Sequence, residues 1–313
     1  MITVAGEALM DVVVDPSGAA TAFPGGAPFN VARAIARLGG ECQFLGRISS
    51  DRFGRRLRCE LDELGIRLAV PGATAAPTTL AMAELDDAGV AEYMFYLDGT
   101  SAAQLGLDAV SPGILRDSRA IVFGGLGIAM EPIASTLREL VAHAPDTATA
   151  MLDVNCRRAA IKDLRAYRRN VAELLTHVEI VKVSSDDMRL LAPGVDPDVA
   201  ARGLLEHGPG AVLVTDGPAP VRIHTQSSER FVPVPDVRVI DTVGAGDAFV
   251  GAFVMAWSAP SGGGARFDPD SLARATAVAV GVATAACSVA GANLPDDLEW
   301  PRAEETRAPI TPS

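Results

Sequence analysis

Short apolar runs rich in valine and isoleucine alternate with longer segments of helical period along most of the chain, and that alternation leaves few architectures open. A fully buried strand needs a continuous apolar run, and helices crossing between such strands cover both faces of a parallel sheet. Buried strands are expected at Gln43 to Ile48, Ala120 to Phe123, Thr149 to Val154, Glu179 to Val183 and Ala211 to Val214, with helices between them. The expected class is therefore α/β, a doubly wound, mostly parallel sheet flanked by helices. In RFGRRLRCELDELG, residues Phe53, Leu57, Leu61 and Leu64 form one apolar stripe and Gly65 is placed to end the helix. The opening MITVAGEALMDVVV reads as a first strand and has neither the basic region nor the cleavage site of a secretory signal.

One region breaks the alternation. TLAMAEL, DDAG and VAEYMFYL read as two strands around a turn, and with Asp11 to Phe23 this hairpin makes a small sheet beside the main one, from about residues 11–24 and 76–100. Such a unit serves either as a flap over a ligand or as an ordinary edge hairpin. The 313 residues suit one main domain, 1–300, because single cores stop growing at roughly 250 to 300 residues. Residues 301–313 mix prolines and charges and read as a loosely held tail.

A net charge of -12 argues against a nucleic-acid partner, which would need a basic face, and favours a small-molecule substrate. Cys42, Cys59, Cys156 and Cys287 lack the spacing of a zinc site and read as buried free thiols of a reducing cytosol. The uncharged stretch Ala275 to Pro295 is mostly Ala, Gly, Ser and Thr, which suits a closely packed core helix better than a membrane span.

The stretch DTVGAGDAFVGAF, Asp241 to Phe253, looks like a loop opening a helix. Free amides and a positive dipole end attract anions there, and glycines let a ligand approach the backbone. A Rossmann site would need a third glycine where Phe249 stands, and a phosphate-binding P-loop would need a lysine that is nowhere near. Asp247 then has a use as a general base. It would take a proton from an incoming hydroxyl while the amides of residues 244 to 247 hold phosphoryl oxygens. The alternative is a helix cap with glycines for a tight turn.

DTVGAGDAF, together with PGGAPFNVARAIARLGG upstream, resembles the two signature motifs of the ribokinase-like (PfkB) sugar kinase family. Further matches run through GEALMD, PTTLAMAELDDAG, DVNCR, VKVSSDDM, VTDG and VAGANLP, leaving only the tail outside, and within the family the chain is most similar to bacterial fructokinases. The resemblance implies a ribokinase-like fold with a small β lid, and an ATP-dependent sugar kinase. Asp247 becomes the catalytic base, and Gly244, Ala245 and Gly246 the anion hole. On the sugar side it implies Asp11, Gly25, Gly26, Asn30 and Arg157, and on the nucleotide side Ser184, Thr215, Gly217, Ala290, Gly291 and Asn293.

Magnesium is implied with the ATP. The family carries N-x-x-E near the metal, whereas this chain has Ser184 and Asp187, so Asp187 would serve the ion through water. Some members also bind a monovalent cation such as K+ beside the anion hole, and relatives often pair into homodimers through the flap. D-fructose is the favoured acceptor, followed by 2-keto-3-deoxygluconate. A nucleoside kinase and a catalytically silent sugar sensor are the competing classes.

Overall fold

The computed structural model describes residues 1–87, 91–257 and 267–300. The far side of the expected DDAG turn and the tail 301–313 lie outside the described residues.

The apolar opening run is two strands rather than the single one expected. Ile2–Ala5 forms β1, and Leu9–Val14 forms β2 in a different sheet. Gly6 makes the break, with φ at 149°, and a Cβ there would stand 2.4 Å from Pro28 Cγ. Only glycine takes that backbone without strain. Ala20–Gly25 (β3), Leu80–Leu85 (β6) and Ala91–Tyr96 (β7) complete the smaller sheet in the order β3-β2-β6-β7. Asp11 thus lies within β2, opposite Phe23 and Ala81, and not at the end of a first strand.

The larger sheet runs β13-β12-β11-β10-β9-β8-β1-β4-β5. Its remaining strands are Cys42–Leu45 (β4), Arg67–Leu68 (β5), Ala120–Gly124 (β8), Thr149–Asp153 (β9), Ile180–Ser184 (β10), Ala211–Asp216 (β11), Ala219–Thr225 (β12) and Glu229–Val232 (β13). Pairing is parallel from β5 to β11 and antiparallel at β11-β12 and β12-β13. The apolar runs expected to be buried strands are those strands.

The helices are Ala27–Arg37 (α1), Arg52–Glu63 (α2), Ile133–Ala142 (α3), Leu164–Leu175 (α4), Ser185–Leu191 (α5), Pro197–Leu205 (α6), Ala245–Trp257 (α7) and Pro269–Ala286 (α8). Alternate strand residues feed two cores. Ile2, Val4, Val122, Met151 and Ile180 meet α1, α7 and α8 on one face. Ile121, Phe123, Leu152, Val181 and Val183 meet α3, α4 and α6 on the other. In α2 the expected stripe packs inward through Leu57 and Leu61, Phe53 and Leu64 flank it, and Gly65 follows with φ 68°.

The cysteines depart from expectation. All four are free, but only Cys42 is buried; Cys59 is exposed on α2, and Cys156 and Cys287 are half-buried. Cys59 falls outside the Leu57 and Leu61 stripe, which accounts for its exposure. Among the described residues, no helix is long and apolar enough to cross a membrane.

Candidate active site

Parallel strands end together, and in open α/β sheets the crevice beyond their carboxyl ends is where ligands bind. At that edge Lys182 of β10 stands in register with Asp153 of β9, so both side chains leave the sheet on one face. The ammonium lies 3.0 Å from Asp153 Oδ1, and both side chains are buried. The pair is an electrostatic one, because no donor among the described residues meets either Asp153 oxygen in good hydrogen-bond geometry. Burial pushes the Asp153 carboxyl up to about 6 against the pull of Lys182. Burial alone would lower Lys182, but the charges of Asp153, Asp187 and Asp247 outweigh it and hold the ammonium above its ordinary value.

Directly over this pair is the start of α7. Gly244, with φ 78°, backs onto the loop at Ala292, where a Cβ would come within 2.5 Å of the alanine methyl. A Cβ on Gly246 would stand 3.4 Å from Lys182 Nζ, so the ammonium lies beneath the helix end. The Ala245 amide makes a long turn bond of 3.3 Å to Thr242, and the Gly246 and Asp247 amides have no backbone partner before Ala248 bonds the Gly244 carbonyl at 2.8 Å. A fixed ammonium and free amides together make a site for an anion.

Asp247 is the third residue of α7 and is buried. Its carboxylate turns across the crevice, accepting from Asn30 Nδ2 at 2.8 Å and Asn155 Nδ2 at 3.4 Å. Burial raises its proton affinity; the Asn30 hydrogen bond and the charges of Arg157 and Lys182 oppose that, while Asp11 adds to it. A carboxylate so held is ionised enough to accept a proton and desolvated enough to want one.

Asp11 reaches this crevice from β2. Burial pushes its carboxyl up to about 6, countered by Arg157. Gly25 lies beside it because a Cβ there would fall 1.9 Å from Asp11 Oδ2. Gly26, at φ 104°, opens α1 against the Glu7 carbonyl, where a Cβ would meet the oxygen at 2.8 Å. One turn on, Asn30 is buried with its amide on Asp247. Arg157 is exposed, and its charge acts on both Asp11 and Asp247. Asp11, Asn30, Arg157 and Asp247 therefore converge on one space.

Ser184 and Asp187 form a capping box on α5. Asp187 accepts from the Ser184 amide at 2.7 Å and the Cys156 amide at 2.7 Å, one on each oxygen. Direct ligation would compete with those bonds, whereas the remaining lone pairs can still order water. Thr215 is the next-to-last residue of β11, and Gly217, with φ 52°, turns the chain toward β12. Ala290, Gly291 and Asn293 form a turn in which the Asn293 side chain holds the Ala290 carbonyl at 3.0 Å, and Asp241 accepts from the Gly291 amide at 2.8 Å. Gly291 and Asn293 flank Ala292, the residue that packs on Gly244.

Asp153, Lys182, Asn155 and Glu7 complete the site, and none was singled out from sequence. Asn155 has φ 40°, a left-handed conformation that Asn tolerates better than most residues. Glu7 is buried and accepts from the Leu126 and Gly127 amides at 3.2 and 3.1 Å. Burial pushes its carboxyl up to about 7, and the Asp247 charge contributes. A charged residue inside an otherwise apolar strand, as in IVKVS, is the signal that marks Lys182. A second cluster, Asp198, His224 and Glu229, lies at the antiparallel edge of the sheet. Arg222 already pairs with Asp198 and Arg202 with Glu229 there.

The family described as pfkB family carbohydrate kinase matches residues 1–299. Probable fructokinase-5 of Arabidopsis thaliana is 31% identical over 260 residues, which is 80% of each chain. Fructokinase of Rhizobium leguminosarum bv. trifolii is 32% identical over 254 residues, 80% of this chain and 77% of that one. Among solved structures, fructokinase with bound ATP from Xylella fastidiosa matches with a TM-score of 0.86 at 29% identity, covering 93% of both chains.

Proposed function

The chain belongs to the pfkB family of carbohydrate kinases, and from that premise we propose that it transfers the γ-phosphoryl group of ATP to a hydroxyl of D-fructose. The observation that carries this reading is the Asp247 carboxylate, clamped by two amides at the start of a helix whose free amides lie over a buried ammonium.

Phosphoryl transfer is mostly positioning and electrostatic stabilisation. Asp11 and Arg157 hold the sugar so that one hydroxyl meets Asp247. As that oxygen attacks the γ-phosphorus, its proton passes to Asp247, and the bond to the leaving ADP oxygen breaks. The amides at Gly244, Ala245 and Gly246 and the Lys182 ammonium meet the charge on the transferring group. Ser184, Thr215, Gly217, Ala290, Gly291 and Asn293 line the nucleotide side.

Magnesium fits this crevice: Asp153 keeps two buried oxygens without a well-formed hydrogen bond, and Asp187 keeps lone pairs free for water. The ion neutralises charge on the phosphate oxygens when bound. Asp187→Ala is expected to raise the magnesium needed for half-maximal rate by roughly 10- to 100-fold, with the saturated rate within about an order of magnitude of wild type. Inactivity of the folded variant at saturating magnesium would contradict a role through water.

The smaller sheet acts as the lid. Its Asp11 row continues through Phe23, Ala81 and Phe95, giving an apolar wall around one carboxylate. The alternate row carries Val12, Met82 and Met94, and Met94 is 50% exposed, a face suited to a second copy of the chain. Asp11→Ala is expected to raise KM for fructose by roughly 10- to 100-fold, the worth of a hydrogen bond to a charged group, and to leave KM for ATP unchanged. Because the Asp11 carboxyl sits near 6, kcat/KM for fructose should fall as pH drops through about 6, where Asp11 gains a proton and ceases to accept. Unaltered fructose kinetics in the variant would remove Asp11 from the site.

The stacked pair Tyr93 and Phe95, with centroids 6.4 Å apart, also offers a surface to a nucleoside base, so adenosine is the competing acceptor. ADP release measured over fructose, 2-keto-3-deoxygluconate, ribose and adenosine separates the two. Fructose should give the highest kcat/KM. Preference for adenosine by tenfold or more, about 1.4 kcal/mol in transition-state stabilisation, would overturn the sugar reading.

A further inference from the structure

Arg33 projects from α1 one turn after Asn30, and its guanidinium is buried. It donates from one nitrogen to Asn30 Oδ1 at 3.2 Å and to the Ala292 carbonyl at 3.0 Å, and from the other to Asn293 Oδ1 at 3.0 Å. Its Nε pairs with Glu60 of α2. A guanidinium can only donate and a carboxylate can only accept, so the Asn30 amide has a single workable orientation between Arg33 and Asp247. With Oδ1 turned to Arg33, Nδ2 must face Asp247. The same guanidinium holds Ala292, the residue against which Gly244 of the anion hole packs.

We infer that Arg33 is a positioning residue for phosphoryl transfer, locking the Asn30 amide toward the base and the 292–293 loop toward the anion hole. The inference rests on the kinase reading above. Without Arg33 the Asn30 amide is free to flip and present its oxygen to Asp247, which replaces an attractive contact with a repulsive one. The other charges facing Asp247 are Arg157, Lys182, Asp11, Asp153 and Glu7, and none of them replaces that donor.

The test is a double-mutant cycle on the full chain, with Arg33→Met, Asn30→Ala and the two combined, followed through kcat and its pH profile. Arg33→Met is expected to lower kcat by roughly 10- to 100-fold and to move the acidic limb of kcat to higher pH, since loss of the Asn30 donor favours protonated Asp247. In the Asn30→Ala background the same substitution should cost kcat at least about 3-fold less and move the limb less, because the part that acts through the Asn30 amide is already gone while the Arg33 charge and its hold on the 292–293 loop still count. An equal factor and an equal limb shift in both backgrounds would show that Arg33 does not act through the Asn30 amide and overturn the inference. If Arg33→Met does not accumulate as folded protein, Arg33→Met combined with Glu60→Met, which leaves neither charge of the pair orphaned, gives the same comparison in the same two backgrounds. Wild-type turnover with fructose reports separately on the acceptor, and the cycle can be read with whichever acceptor turns over.

Discussion

Lys182→Met should destabilise the fold by about 3 to 5 kcal/mol, because it removes one partner of a buried ion pair and leaves the other charge behind. The methionine fills much the same volume, so little of the loss comes from packing. The cost falls on Asp153, whose carboxyl burial already pushes up to about 6 and whose oxygens have no well-formed hydrogen bond. A carboxyl whose proton affinity is higher folded than unfolded loses stability as pH rises between those two values. Removing Lys182 raises the folded value further, so the deficit against wild type should be larger at pH 8 than at pH 6. Urea unfolding at both pH values measures it. Adding Asp153→Leu should restore much of the stability, since an apolar pair replaces an orphaned charge. A deficit below about 1 kcal/mol, equal at both pH values, would show that the pair does not carry the charge balance described.

Much of the scaffold was open to reading because it is local. Buried strands announce themselves as apolar runs, and the run expected at Glu179 to Val183 is β10, Ile180–Ser184. The stripe of α2 has the period of its helix. Asp247 stood out for a different reason, since an acid in a glycine-rich helix start contradicts the anion site around it unless it performs chemistry. Asp153 and Lys182 were hidden because their meeting depends on the register between two strands almost thirty residues apart, and pairing cannot be seen along one strand. Asn155 carries no local signal inside DVNCR, because its left-handed backbone and its contact with Asp247 are set by the fold. Arg33 carries no local signal of its role, since its partners at 292 and 293 are distant in sequence. The break at Gly6 was missed because MITVAGEALMDVVV has the composition of one strand, while the turn is dictated by Pro28 packed against the glycine.

The Asp187 position shows how a local motif can serve two ends. Its spacing from Ser184 closes a capping box, and its second oxygen binds the Cys156 amide in the loop that carries Asn155 and Arg157. The shorter acid thereby fixes the loop that faces the base, a contact that no reading of SSDDM alone would supply.

Asp247→Asn is expected to lower turnover by roughly 10²- to 10⁴-fold, the range for losing a general base. Asparagine keeps the size of the side chain and suits the start of a helix, but it cannot take the hydroxyl proton. Its amide oxygen can keep the 2.8 Å contact with Asn30, while its NH2 takes the place of the oxygen that accepts the longer 3.4 Å contact from Asn155, so only the weaker half of the clamp is lost. Nucleotide affinity should hold or improve, because one negative charge leaves the neighbourhood of the phosphates. If Asp247 were only part of the helix start, stability, turnover and nucleotide affinity would all stay near wild type. The measurement is therefore made on one folded sample of Asp247→Asn: steady-state turnover with fructose and ATP, and ATP affinity by titration calorimetry. Turnover down by at least 10²-fold with ATP bound no more weakly than by wild type is the predicted result. Turnover within a few-fold of wild type would contradict the assignment of Asp247 as the base.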